Sequence, residues 1–513
     1  MGAYGCGMTV GPGVSTARRL PTRVLLMAAL VVIAMMVAAG RYGFHRDEYY
    51  FVVTGQHPAV AAPDNPMLVP FLAAGWYGLV RGQLWAFRIL PALAVGGYVV
   101  IGALIAREFS ASRSRQVAAA AATALLGIVP PVGHLFETTT FDMLITAAAL
   151  WMLVRALEAD PQRWAPWIGF GVLTGVAMEV KVLAAGVLAC CLLGILILGP
   201  RRRLINVKPW AAALIAAVLA APNLIWQAVN GWPQLGIAAH IANGGSGSST
   251  PRTSLIPITM LEIGPIMCIV LIIGVVRLLR PPWRTNRYGW LAAGFLIFLV
   301  LMLASGGKAY YPAAFYPALI AAGSGTILDW ARTRSRQILC ALLAVVSIIV
   351  TVSLTLPVYP VGSPLFNVAM GTNPDMGETV GWNGYIESVS TVAAAIPTGE
   401  ASHTVVLASN YGEAGALYLA RRGGHPATSI PPVYSGHNAF WSWGPPPESA
   451  TDAIVVGDFS TARLHSWFAT CTLRAQLLSP PGVENDEAGE PVRWCTGRTR
   501  TWTDLWPEVK NLG

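Results

Sequence analysis

The chain has 513 residues, of which 54% are hydrophobic and 12% charged; a soluble domain usually carries about 25% charged residues, so this composition argues for a protein that lives in a bilayer. The seven cysteines, Cys6, Cys190, Cys191, Cys268, Cys340, Cys471 and Cys495, show neither C-x-x-C spacing nor the His neighbours of a structural zinc site, which argues against a cysteine-ligated metal. The formal charge of +9 would suit nucleic acid in a soluble protein, but here it must first be divided by membrane side, because cytoplasmic loops attract Lys and Arg.

A transmembrane helix needs roughly 20 mostly apolar residues. In chain order, such runs predict eleven spans, near 21 to 40, 86 to 106, 116 to 132, 136 to 154, 164 to 180, 182 to 199, 209 to 229, 256 to 276, 288 to 305, 312 to 328 and 337 to 357. The first is read as retained rather than as a cleavable signal peptide, since its apolar stretch is long and no A-x-A-like site leads into a polar domain. With Arg18, Arg19 and Arg23 cytoplasmic, the even-numbered connections are cytoplasmic too, and they collect the arginines at 201 to 203 and at 332, 334 and 336 together with Lys208. The positive charge is then an orientation signal, and no nucleic-acid partner is expected. An odd number of spans leaves the tail outside.

Near residue 358 the long apolar runs give way to turn-rich sequence. The expected organisation is a polytopic α-helical membrane domain, residues 1–357, and a small extracytoplasmic α/β domain, residues 358–513. In the latter, His403 to Ser409 and Ala453 to Gly457 read as buried strands, and Glu413 to Arg422 and Ser460 to Ala469 as helices, an alternation that suggests a small parallel sheet. Cys471 and Cys495 would face an oxidising compartment, where a disulfide between them and a pair of free thiols are the two readings.

Ionisable residues at membrane depth are costly and tend to mark function. Here they gather in the outer connections, in HRDEYY (45 to 50), PDNPM (63 to 67), HLFETTTFD (134 to 142), EVK (179 to 181) and GGKAYYP (306 to 312). A pore or symporter more often places charge near the midplane, inside broken helices, so this distribution favours an active site at the outer interface. The first outer connection, 41 to 85, holds an apolar run at 66 to 80 beside Pro63, Pro66 and Pro70. It reads as an interfacial helix, since a span there would put the arginine clusters outside.

Adjacent acids such as Asp47 and Glu48 suit catalysis because one can accept a proton while the other is held in place; a solvated loop at a helix exit is the bland reading. Lys181 and Lys308 are the only lysines of the membrane part besides Lys208, and cations in a partly dehydrated site stabilise a phosphate leaving group. Snorkelling to the headgroups is their alternative. Arg88 is a further phosphate candidate or an anchor for the second span. His134 and Glu137, three apart, could share a helix face and ligate a metal, or form a hydrogen-bonded helix start. Tyr310 and Tyr311 line the site or belong to the interfacial aromatic belt. In the tail, Glu413, His437, Asn438, Trp441 and Trp443 suit stacking against a sugar and choosing the acceptor, with core packing as the alternative.

The segment HRDEYYFVVTGQHPAVAAPDNPMLVPFLA (45 to 73) resembles the first outer loop of the GT-C fold glycosyltransferases related to protein O-mannosyltransferases and to the aminoarabinose transferase that modifies lipid A. TTTFDMLITAAALWMLVRAL (138 to 157), GGKAYYPAAFYPALIAAG (306 to 323), SNYGEAGALYL (409 to 419) and YSGHNAFWSWGPP (434 to 446) are similar to further segments of that superfamily. The resemblance implies transfer of a sugar, with inversion, from a polyprenyl-phosphate-linked donor to an extracytoplasmic protein, lipid or cell-wall glycan, by a multi-pass protein of the plasma membrane. It implies Asp47 as the base, Glu48 as its support, and Lys181 and Lys308 for the donor phosphate. Asp64 and Asp142 match acids that serve the donor or a metal, although Asn65 and a single Pro66 stand where Lys or Gln and Pro-Pro are more usual. A divalent metal stays open as a cofactor. A transporter or flippase of lipid-linked sugars and a non-catalytic relative are the competing readings.

Overall fold

The computed structural model describes residues 19–245, 249–280, 287–423, 430–483 and 485–513. Most of the apolar runs become helices near the expected bounds, among them Thr22–Ala38, Ile89–Glu108, Thr138–Glu158, Ala165–Val180, Leu183–Leu198, Val207–Val229, Gly289–Ser305 and Arg334–Thr355. The stretches Leu84–Glu108, Thr138–Glu158, Val207–Val229 and Arg334–Thr355 are long and apolar enough to cross a membrane, and the bent pair Leu255–Ile263 and Pro265–Leu279 adds a fifth among the described residues.

Three expected spans are interrupted, each at residues that oppose a continuous helix. The run at 116 to 132 is a helix Arg113–Ala124 and a separate short helix Val129–His134, which opens on Pro130 and Pro131 because proline fits the first helical turn but not the interior. The run at 256 to 276 bends by 99° at Gly264, whose φ of +88° suits glycine alone among the common residues. The run at 312 to 328 begins with a 3-10 turn, Tyr311–Phe315, before the helix Tyr316–Trp330. The connection at 41 to 85 holds the expected apolar helix, Leu68–Leu79, and also an unforeseen one, Arg46–Gly55.

Gly274 and Gly323 let two helices meet backbone to backbone. A Cβ on Gly323 would fall 1.9 Å from the Val270 carbonyl oxygen, and one on Gly274 would fall 1.9 Å from that of Leu319. Small residues at such crossings permit close approach where no water drives helices together.

The tail forms a five-stranded sheet from β1 (Thr404–Ala408), β2 (Val433–Ser435), β3 (Asp452–Val456), β4 (Phe468–Gln476) and β5 (Pro491–Arg498), in the order β2-β1-β3-β5-β4. Strands β2, β1 and β3 run parallel, whereas β5 pairs antiparallel with both β3 and β4. The expectation of a parallel sheet is thereby corrected to a mixed one, because the second expected helix ends at Trp467 and the chain continues directly as β4. Cys471 and Cys495 lie opposite each other on β4 and β5 and are disulfide-bonded. Every residue of β1 and β3 is buried, as expected of strands covered on both faces.

The sheet domain sits on the connection that follows the first long helix. Tyr50, Phe51, Val52 and Val53 share one hydrophobic cluster with Ala408, Ala414 and Phe440 of the tail, and the Gly43 N–H donates to the Thr379 carbonyl at 2.8 Å.

Replacing Gly323 by Val should force the two helices apart at a cost of about 1–3 kcal/mol. The check is thermal unfolding in detergent, where Gly323→Val is expected to melt lower than wild type. Gly186→Ala, whose new methyl would meet only Phe298 at 3.7 Å, is expected not to.

Candidate active site

The helix Arg46–Gly55 begins with a capping box: the His45 side chain accepts from the Asp47 N–H at 3.2 Å, and the His45 N–H donates to Glu48 Oε2 at 2.8 Å. Acids in a first turn also complement the free N–H groups and the positive end of the helix. Consecutive residues point in different directions on a helix, and the two acids have different fates.

Glu48 faces inward and is fully buried, as is Arg88. Its Oε2 accepts from Arg88 Nη2 at 2.8 Å, and its Oε1 accepts from Arg88 Nε at 3.0 Å and from the Phe136 N–H at 3.0 Å. The remaining Arg88 donors go to the Ala39 and Gly43 carbonyls and to His134 Nε2, the last at 3.0 Å. Arg88 thus spends its guanidinium donors on protein partners, and Glu48 supports the helix start, as expected of it. His134 accepts from Arg88 through Nε2 and closes the helix Val129–His134, while Glu137 stands beyond that helix as the cap of the next, so the two do not share a helix face. Among the described residues no three His, Cys, Asp or Glu side chains converge to hold a metal, so the donor set does not fit one.

Asp47 faces the sheet domain and is half-buried. Its Oδ1 accepts from the Tyr411 hydroxyl at 2.8 Å. Asp64, in the loop before the helix Leu68–Leu79, accepts from the Tyr50 hydroxyl at 2.7 Å, and that hydroxyl in turn accepts from the Ala439 N–H at 3.2 Å. Burial pushes the Asp64 carboxyl up to about 6, against the opposing hydrogen bond from Tyr50.

The two lysines and four acids share one electrostatic neighbourhood. Burial lowers the Lys308 ammonium while Asp47, Asp375 and Glu137 pull it back. Burial lowers Lys181 to about 8 against the attraction of Asp142, with Lys308 adding to the fall. Burial raises Glu137 well above the usual carboxylate range, and Asp375 and Asp47 raise it further. Lys181 donates to Thr139 Oγ1 at 3.2 Å and lies 5.0 and 5.2 Å from the ring centres of Tyr310 and Tyr311, so the tyrosine pair cages a cation. Asp142 is buried and accepts from the Thr146 hydroxyl at 2.8 Å.

Beside this cluster lies a cavity of about 350 Å³. Glu137, Thr139, Tyr310 and Asp375 form polar parts of its lining, and Leu261, Val350 and Leu354 belong to its apolar lining. Asp47 and the lysines stand outside the lining and meet it through Glu137, Asp375 and Tyr310. One wall is the helix Arg334–Thr355, whose only buried residue is Ser347.

The tail residues singled out from sequence are used for packing. Glu413 is buried and accepts from the Ser409 and Asn410 N–H groups and the Ser409 hydroxyl. His437 Nε2 meets the Gly513 carbonyl at 2.7 Å, and Asn438 accepts from the Gly513 N–H. The Trp441 indole donates to the Trp506 carbonyl at 3.1 Å. Trp443 stacks on His57 with ring centres 3.8 Å apart. Most of these contacts lie within the sheet domain, and Trp443 packs instead on His57 of the connection after the first long helix. Sequence reasoning missed Tyr411 and Asp375, which lie more than 300 residues from Asp47. The one signal for Tyr411 was its place after Asn410, the cap of the helix Tyr411–Arg422.

Comparison with known proteins agrees with this architecture. Residues 64–226 match the family described as dolichyl-phosphate-mannose-protein mannosyltransferase. No curated protein sequence matches the chain. Among solved structures, the crystal structure of ArnT from Cupriavidus metallidurans in the apo state is 13% identical, with 92% of this chain and 98% of that chain covered at a TM-score of 0.60. The same protein bound to undecaprenyl phosphate is 14% identical, with 92% and 97% covered at a TM-score of 0.58. The arabinofuranosyltransferase AftD from Mycobacteria is 13% identical, with 94% of this chain but 40% of that one covered, at 0.55. The chain thus has the GT-C fold of ArnT, as the sequence resemblance implied.

Removing one partner of a buried ion pair costs about 3–5 kcal/mol because the other charge is left uncompensated. Arg88→Ala should therefore lower the melting temperature sharply. Arg88→Lys should fail to restore it, since a single ammonium cannot reproduce the guanidinium's fork of donors. Thermal unfolding of the purified variants reads both.

Proposed function

We propose that the protein is a multi-pass membrane glycosyltransferase that moves a sugar from a polyprenyl-phosphate-linked donor to an acceptor on the extracytoplasmic side, with inversion. The observation that carries this reading is the half-buried Asp47 carboxylate, held by Tyr411 within electrostatic reach of Lys308 and Lys181 and beside a cavity with both polar and apolar lining. Asp47 takes the proton of the acceptor hydroxyl as its oxygen attacks the anomeric carbon. The bond from that carbon to the phosphate oxygen breaks on the opposite face, and its electron pair leaves with the polyprenyl phosphate. Lys181 and Lys308 meet that growing charge, the kind of preorganised stabilisation that contributes most in a site shielded from water. The apolar wall of the cavity suits the polyprenyl chain, and Glu137, Thr139 and Asp375 suit the sugar hydroxyls. The structure of the ArnT relative with undecaprenyl phosphate supports the donor class, and the AftD likeness supports sugar transfer.

In this reading the chain crosses the plasma membrane eleven times, with a cytoplasmic N-terminus and the sheet domain outside, where it closes over the site and contributes to acceptor choice. The arginines of the even-numbered connections support that orientation.

Asp47→Asn should lower transfer by about 100-fold or more, the range for losing a general base, with donor binding and melting temperature close to wild type; full activity in the variant would sink the mechanism. The lysine site predicts a pH dependence. An ammonium at about 8 is charged below that pH and loses its proton as pH rises through it, so the donor KM should climb on the alkaline side. Lys181→Arg, whose guanidinium stays charged, should abolish that climb, as steady-state kinetics across pH will show.

A further inference from the structure

We infer that Tyr411 is a positioning residue for Asp47, supplied by the outer domain, so that the catalytic site is complete only when that domain is docked; this rests on the reading of Asp47 as the base. Tyr411 lies outside the segment that matches the mannosyltransferase family and 364 residues from Asp47 in sequence. Its hydroxyl occupies Asp47 Oδ1 at 2.8 Å. Among the described residues no hydrogen bond reaches Oδ2, which leaves that oxygen to receive a proton. A carboxylate gripped on one oxygen is fixed in rotamer with its other oxygen presented, whereas an ungripped one must be ordered in each turnover.

The grip is itself held from several sides. The Tyr411 ring lies 4.6 Å from that of Tyr50 and 4.8 Å from that of His437, and the Arg46 guanidinium lies 5.3 Å from its centre. Arg46 is held by carboxylates of the outer domain: Glu378 at 3.4 Å, Glu487 at 3.9 Å, and Asp486. The Asn410 capping box fixes the backbone at the start of the Tyr411 helix. Tyr411 therefore has little freedom except to point at Asp47. The phenol also stays protonated and able to donate, because burial and the Asp47 charge raise it well above its ordinary value.

The experiment uses the full-length protein in phospholipid vesicles. Wild type is first offered mannosyl, glucosyl and arabinosyl polyprenyl phosphates, and the donor it consumes is used to compare Asp47→Asn, Tyr411→Phe and Tyr418→Phe. Tyr418 is the control, since its hydroxyl meets Arg422 rather than the site. Tyr411→Phe is expected to lower kcat by about tenfold to a hundredfold with donor KM within about twofold and an unchanged melting temperature, and Tyr418→Phe to match wild type. Wild-type kcat in Tyr411→Phe beside an inactive Asp47→Asn overturns the positioning role and leaves the base reading standing. So does a lower melting temperature accompanied by a raised KM, or an equal loss in Tyr418→Phe. Full activity in Asp47→Asn, or consumption of no donor by wild type, overturns both.

Discussion

The Glu48–Arg88 ion pair is the contact on which the surroundings of the helix Arg46–Gly55 depend. Two fully buried charges are tolerable only if nearly every donor and acceptor is used, and here they are. Glu48 takes two donors from Arg88 and two backbone N–H groups, while Arg88 reaches two carbonyls and His134 besides. One side chain thus joins the end of the first long helix, the start of the helix Arg46–Gly55, the start of the helix Ile89–Glu108 and the connection before Thr138. Geometry then decides the direction of Asp47. Its neighbour occupies the inward direction, so Asp47 faces the sheet domain, where it meets Tyr411.

The same short helix shows how five successive residues can fasten two parts of the chain to each other. Arg46 is held by acids of the sheet domain and the segment before it, Asp47 by Tyr411, and Glu48 by Arg88 of the helical part. Tyr49 packs edge-on against Trp382 at 5.3 Å, and Tyr50 links Asp64 to the Ala439 backbone. The sheet domain is therefore continuous with the helix Arg46–Gly55 in two ways, through a shared hydrophobic cluster and through the polar bond to Asp47. The cavity has an unlike partner in the helix Arg334–Thr355, which is mostly exposed to its surroundings.

What was legible in the sequence follows from what local patterns encode. Long apolar runs mark helices whatever they pack against, which is why Thr138–Glu158 and Gly289–Ser305 fall near their expected bounds. Interruption is harder to place, because Pro130, Pro131 and Gly264 can each be absorbed or can break a helix according to tertiary context. The helix Arg46–Gly55 was hidden because its cap is a histidine and its inward face is an acid paired 40 residues away. Polar atoms were legible as a gathering but not as partners. Arg88 and Glu48 read as separate site residues and prove to be paired with each other. Glu413, His437 and Trp441 were read as a sugar surface, and each makes a hydrogen bond within its own domain that the sequence did not show. Tyr411 and Asp375 could not be joined to Asp47 by spacing, since only the docking of the sheet domain brings them near.

The measurement closest to the central claim is to reconstitute the purified protein in vesicles with a panel of polyprenyl-phosphate sugars and follow both cleavage of the sugar–phosphate bond and movement of intact donor between leaflets. The account predicts that one donor is cleaved, releasing polyprenyl phosphate as the sugar appears on an acceptor. Movement of an intact donor across the bilayer without cleavage would contradict it and make the protein a carrier of lipid-linked sugars.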